Sequence, residues 1–243
     1  MALKEHSPGS QPRSADQVVE IIHSRWDDCG RFFFGERTNS DDIRAIVPWV
    51  NFLEGLKISP GDKVACCSAP LLLQDAMAGF YGADVLSIEV DGALVGGQWD
   101  ILERLREGYG EGNMGQVLTL PYEFTQFFNP HENIHDFLDL GGLSQFVEGF
   151  RKGELAAVML PKVLDDPRGS EENQLEVVKT AVRLLKDGGR LLVSSEGSMD
   201  GFSNHIPLER IKEVEEASGV RIKPVSKTVL TQVTDARIFE VCK

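Results

Sequence analysis

Apolar residues along this chain fall into two alternating rhythms from about residue 60 onward. KVACCSA (63–69) and ADVLSIEVD (83–91) are compact apolar runs of strand length, as are Leu155–Leu160 and Arg190–Ser195. Between them the spacing turns helical. Leu73, Met77 and Phe80 stand at i, i+4 and i+7 and predict a helix over 70–81, ended by Gly82. Leu175, Val178, Val182 and Leu185 share one face of a second helix, and Lys186-Asp187-Gly188-Gly189 supplies the turn after it. Pro207–Ser218 is helical in pattern, with the acidic run 213–219 as its solvated face and end. The chain closes with Lys227–Val233 and Ala236–Cys242, two strand-like runs separated by Thr234-Asp235.

Strands alternating with helices imply βαβ units and a mostly parallel sheet covered on both faces. The closely spaced last pair predicts a C-terminal antiparallel hairpin. The expected fold class is therefore α/β, a Rossmann-like three-layer sandwich over residues 59–243. Ahead of it, residues 1–14 are polar and aperiodic, which predicts disorder. Residues 15–58 carry two helical patterns, one through Val18, Val19, Ile22 and Trp26, the other through Ile43, Val47, Val50 and Leu53 with Pro48 as a kink. RFFFGERT (31–38) lies between them as a candidate lid. Residues 122–153 form an aromatic-rich insertion between the third and fourth strands, and its phenylalanines are expected to pack helices.

Composition narrows the partners. With 25 Lys and Arg against 38 Asp and Glu, the formal charge of −13 argues against a broad nucleic-acid surface. The apolar runs fall well short of the roughly 18–20 residues of a membrane span, and the polar start MALKEHSPGSQPRSAD resembles neither a signal peptide nor a transit helix. Four cysteines, two of them adjacent in an apolar run, read as small buried hydrophobes. These features predict a cytoplasmic protein without nucleic-acid or membrane partners.

Four segments in order resemble the class I S-adenosylmethionine (SAM) dependent methyltransferases: GDKV (61–64), Gly82-Ala83 with Val85 and Glu89, LLKDGGRLLVSS (184–195), and ARIFEVCK (236–243). The resemblance implies SAM as the bound substrate, with Glu89, at the carboxyl end of the second strand, accepting the ribose hydroxyls. By position it also brings Cys67, Ser68, Ala69, Pro70, Val90 and Leu160 to the cofactor. The chain departs from the family where alternate glycines usually stand in the first turn. Those positions read Ser68, Pro70 and Leu72, and the acidic residue usual near the end of the first strand is Cys66. Side chains there occupy space beside the methionine arm, and Pro70 lacks a backbone donor. The turn Ser68-Ala69-Pro70-Leu71-Leu72-Leu73 and the ending Glu89-Val90-Asp91 also resemble nicotianamine synthases, which move the aminobutyrate arm of SAM and release methylthioadenosine.

Three functions stay open on these residues. Methyl transfer from SAM to a small molecule is slightly favoured. Chemistry on the aminobutyrate arm, by transfer or ring closure, is the second. A non-catalytic partner of an active homologue is the third, and a homodimer or such a heterodimer would be its assembly. Tyr122, Glu123 and His205, near expected strand ends, are the candidate bases or orienting groups. No metal site is expected: His131 and His135 stand four apart after Pro130 and read as loop or surface residues. GEGNMG (110–115) follows a helix, which makes it a loop and not a phosphate cradle.

Overall fold

The computed structural model describes residues 55–67, 79, 82–90, 95, 115–134, 141–161, 171–196, 208–229 and 234–243. The segments 1–14 and 15–53, the candidate lid and nearly all of the helix expected over 70–81 lie outside these residues. So do Ser68, Ala69, Pro70 and His205.

Seven strands form one sheet: β1 (Lys63–Cys67), β2 (Asp84–Glu89), β3 (Val117–Pro121), β4 (Leu155–Pro161), β5 (Leu185–Glu196), β6 (Arg221–Val229) and β7 (Thr234–Cys242). Their spatial order is β3-β2-β1-β4-β5-β7-β6. The first five run parallel, and β7 is antiparallel to both β5 and β6. The described helices are α1 (Phe124–Phe127), α2 (Ser144–Arg151), α3 (Glu171–Leu184) and α4 (Leu208–Ser218). This is the mostly parallel α/β sheet with an antiparallel C-terminal pair that the sequence predicts.

The central strands explain why their sequences lack alternation. Val64, Ala65 and Cys66 of β1 and Ala157, Val158, Met159 and Leu160 of β4 are all 0% exposed, so both faces are covered. Cys66 and Cys67 are free and buried, as small hydrophobes. One face packs against α3 through Val178, Ala181 and Val182, joined by Phe124, Phe127, Phe128 and Phe150 of the insertion. Those rings meet edge to face, with centroids 4.8 Å apart for Phe124–Phe128 and 4.9 Å for Phe127–Phe128. These four phenylalanines are core, as the helix-packing reading requires, with Phe146 partly buried against them; Phe137 lies outside the described residues.

Four boundaries move. β5 begins at Leu185 and not at Arg190, so Lys186–Gly189, expected as the turn, lie within the strand, where its register against β4 shifts between Leu155 and Ala157. α3 starts at Glu171, four residues before its first apolar anchor. Its polar first turn, Glu171 and Glu172, is invisible to apolar spacing yet suits the positive end of the helix dipole. β6 begins at Arg221 and not at Lys227, because as an edge strand it accommodates Pro224 with a register shift between Pro224 and Ser226. Thr234 and Asp235, expected as the turn, pair instead with Glu196 and Ser195 as the start of β7.

At the amino ends of the strands the backbone is tightly interlocked. Gly61 N donates to Gly82 O, Asp84 N to Asp62 O, and Gly115 N to Gly79 O, each within 2.9 Å. A Cβ on Gly115 would stand 1.8 Å from Ala83 O, so GEGNMG ends in a glycine demanded by backbone packing. Gly115→Ala should therefore lower stability by about 1–3 kcal/mol, as overpacking does. Gly61→Ala, with a φ of +81° but open space around it, should cost only the backbone strain of roughly 1–2 kcal/mol. Equal melting temperatures for wild type and Gly115→Ala would contradict this packing.

Candidate functional site

Parallel strands deliver their carboxyl ends to one rim, and the register shows which residues share it. Cys67 is level with Ile88, Cys66 with Met159, and Glu89 with Pro121. The chain leaves β1 toward β2 and leaves the neighbouring β4 toward β5, in opposite directions across the sheet. Open α/β sheets form their ligand crevice at such a reversal, outside the strand ends.

Glu89 closes β2 there and is 6% exposed, whereas Val90 immediately beyond is 63% exposed. A buried carboxylate next to an exposed apolar side chain gives this edge one strong acceptor and one hydrophobic surface. Strand alternation puts Glu89 on the face opposite Ile88, which belongs to the α3-side core. Cys67 and Leu160 are also in that core cluster, so their side chains pack inward at the strand ends.

The loop after β3 abuts Glu89 directly: Tyr122 N donates to Glu89 O at 3.2 Å. Glu123 is the N-cap of α1. Its carboxylate accepts from Thr125 N, Thr125 Oγ1 and Gln126 N at 2.6–3.1 Å. A carboxylate so occupied fixes the loop. Tyr122 packs edge to face on Phe127, with centroids 5.9 Å apart. Of the sequence-derived residues, the structure thus gathers Cys67, Glu89, Val90, Tyr122, Glu123 and Leu160 along the carboxyl ends of β1 to β4.

Sequence reasoning missed two arginines that hold this loop. Arg151, at the end of α2, donates Nε to Phe127 O at 3.0 Å and Nη2 to Asn129 O and Glu132 O at 2.7 and 2.6 Å. Arg183 Nη2 reaches Phe128 O at 3.0 Å from α3. Carbonyls left open at the end of the short α1 find their donors this way. Nothing in the linear sequence marks contacts spanning 19–55 residues, apart from the presence of cations beside an aromatic cluster. His131 occupies the turn after Pro130, where its N–H donates to Asn129 Oδ1.

No protein-family model and no curated protein matches the sequence. Solved structures do match in fold. Magnesium protoporphyrin IX methyltransferase from Synechocystis PCC 6803, with bound SAH, superposes at a TM-score of 0.53 and 15% identity, over 93% of this chain and 98% of its own. The N-methyltransferase NodS from Bradyrhizobium japonicum WM9 gives 0.53 at 11% identity, over 84% and 100%. A glutamate-to-glutamine mutant of MtNAS, a nicotianamine synthase, gives 0.51 at 13%, over 94% and 69%. The chain has the class I methyltransferase fold.

Within the class I methyltransferase fold the Tyr122 phenol has a defined protonation state. Burial raises its pKa above the ordinary 10.0, the carboxylates of Glu132 and Glu123 push the same way, and Arg151 opposes them. Tyr122 is therefore a hydrogen-bond donor at neutral pH and a poor proton acceptor. The folded state disfavours the phenolate, so this contribution to stability is complete below pH 10.0 and is lost as pH rises through the folded-state value. The phenolate absorbance that disappears in Tyr122→Phe should appear above pH 10.0 in the native protein. A Tyr122 titration at or below that value would contradict the assignment.

Proposed function

We propose that this chain is a SAM-dependent transferase that methylates a small molecule. The observation that carries the reading is Glu89, a buried carboxylate at the carboxyl end of β2 beside the strand-order reversal. A carboxylate there is suited to accept both ribose hydroxyls of an adenosyl group, through charge-assisted hydrogen bonds. Val90, exposed next to it, offers an apolar contact for the adenine. Cys67 and Leu160 stand at the ends of β1 and β4, and Ser68, Ala69 and Pro70 follow β1 in sequence. The donor set fits an adenosyl ligand.

SAM supplies an activated sulfonium whose attached carbons are all electrophilic. The protein's part is to orient: Glu89 anchors the ribose, and the loop braced by Glu123 and Arg151 presents the Tyr122 hydroxyl as a donor toward the acceptor. Holding two reactants in line is a large share of such catalysis. Where the acceptor arrives protonated, His205 is the remaining candidate base. A magnesium protoporphyrin IX methyltransferase and an N-methyltransferase among the structures of this fold support methyl transfer.

A second reading, attack on the aminobutyrate arm, is favoured by one observation. The turn Ser68-Ala69-Pro70-Leu71-Leu72-Leu73 lacks the usual alternate glycines and is similar to that of nicotianamine synthases.

Titration calorimetry tests the ribose site. Glu89→Ala should keep a native circular dichroism spectrum and lose about 2–4 kcal/mol of S-adenosylhomocysteine affinity, the worth of a charge-assisted bidentate contact. Undiminished affinity would take Glu89 out of the site. The product of turnover separates the readings: S-adenosylhomocysteine marks methyl transfer and methylthioadenosine marks the aminobutyrate arm. Failure of the wild-type protein to bind either nucleoside would leave a non-catalytic partner of an active homologue.

A further inference from the structure

We propose that the outward face of α3 is a second ligand site, one that binds a small phosphate-bearing anion. Two cavities flank this face, one of about 390 Å³ toward α4 and the C-terminal residues, the other of about 360 Å³ toward α1. Glu176, Thr180 and Arg183 line both, so the two form a single trough divided by α3. Each volume is within the usual range for a small-molecule pocket. The lining includes Arg183, Thr125, Gln126 and Asn129, which belong to α3, α1 and the braced loop, but none of the strand-end residues Cys67, Glu89, Val90, Tyr122 and Leu160.

The charge in the trough runs against that of the whole chain. Lys179, Arg183 and Lys243 face one carboxylate, Glu176, in a protein of formal charge −13. Glu176 is already engaged by Lys179, at 2.7 Å. That leaves Arg183 without a carboxylate among the lining residues, while the backbone N of Lys243 donates to Asp187 Oδ1 at 2.8 Å. Lys243 Nζ donates to the backbone Arg183 O at 3.2 Å, which holds this ammonium on the last turn of α3. Arg183 spends one nitrogen, Nη2, on Phe128 O, and its other N–H groups have no partner among the described residues. A guanidinium presents its donors as a planar fork matched to phosphate oxygens. Thr180, 8% exposed, forms part of both cavity walls beside it, and Ser218 adds a second hydroxyl on the α4 side. Three cations in one cavity lining, spare arginine donors and flanking hydroxyls are the recognition chemistry of a phosphate group.

Calorimetric titration of the full-length protein with inorganic phosphate and with glycerol phosphate, at fixed ionic strength, tests the site. The wild type should give saturable binding of at least one of them. Arg183→Gln should weaken it about tenfold, the loss of one charge-assisted contact. Arg183 also supports Phe128 O, so Lys179→Gln, on an exposed side chain, serves as the second variant and should weaken binding about threefold. Tighter binding of glycerol phosphate identifies an ester as the ligand, and equal binding identifies the free anion. Glu89→Ala should leave the titration unchanged. Non-saturable binding, equal affinity in wild type and both variants, or loss of binding in Glu89→Ala would each overturn the assignment.

Discussion

Pairing of β1 on both sides is the constraint from which the rest of the molecule follows. Val64 is opposite Val85 of β2 and opposite Ala157 of β4, so β1 cannot be reached by water from either edge or either face. Burying residues such as Val64, Leu86 and Val158 contributes about 1.5–3 kcal/mol each relative to exposure. Polar side chains are consequently excluded from the middle of β1 and collect at its ends. At the amino ends the backbone loops at Gly61, Gly82 and Gly115 interlock and fix the strand levels. At the carboxyl ends those fixed levels bring Cys67, Glu89 and Tyr122 to one rim. The site's geometry is thus set from the opposite edge of the sheet.

The rim is built for rigidity. Glu123 caps α1, Arg151 gathers three carbonyls of the same loop, and Arg183 takes a fourth. Charge-assisted bonds of this kind each contribute about 1.5–3 kcal/mol, against the cost of ordering a loop residue of roughly 1–2 kcal/mol. The loop after β3 is therefore held in one conformation before any ligand arrives, which lowers the entropy cost of binding. Its phenol, kept neutral by burial and by the nearby carboxylates, can donate but does not compete for protons.

Much of this was legible in the chain. Buried parallel strands announce themselves as unbroken apolar runs, so β1, β2 and β4 stand within or on the runs KVACCSA, ADVLSIEVD and LAAVML. The acidic end of β2 was visible as Glu89 through the register of the methyltransferase resemblance, since the apolar run itself continues to Asp91. Edge strand β6 was misplaced, since Arg221, Lys223 and Pro224 carry no apolar signal and are tolerated there by the open edge. The bracing of the rim was invisible. Arg151 and Arg183 read as ordinary helix cations until the fold brings Phe127, Phe128 and Asn129 to them. Glu123 reads as a base or orienting group, and the local chain gives its carboxylate the role of a helix cap.

The central claim is that an adenosyl ligand lies along the carboxyl ends of β1, β2 and β4 with its ribose on Glu89. A crystal structure of the protein soaked with S-adenosylhomocysteine tests it most directly. The account predicts density at that rim, with both ribose hydroxyls within hydrogen-bond distance of the Glu89 carboxylate. Density for the ligand elsewhere on the molecule, or at the rim with the ribose turned away from Glu89, would contradict it.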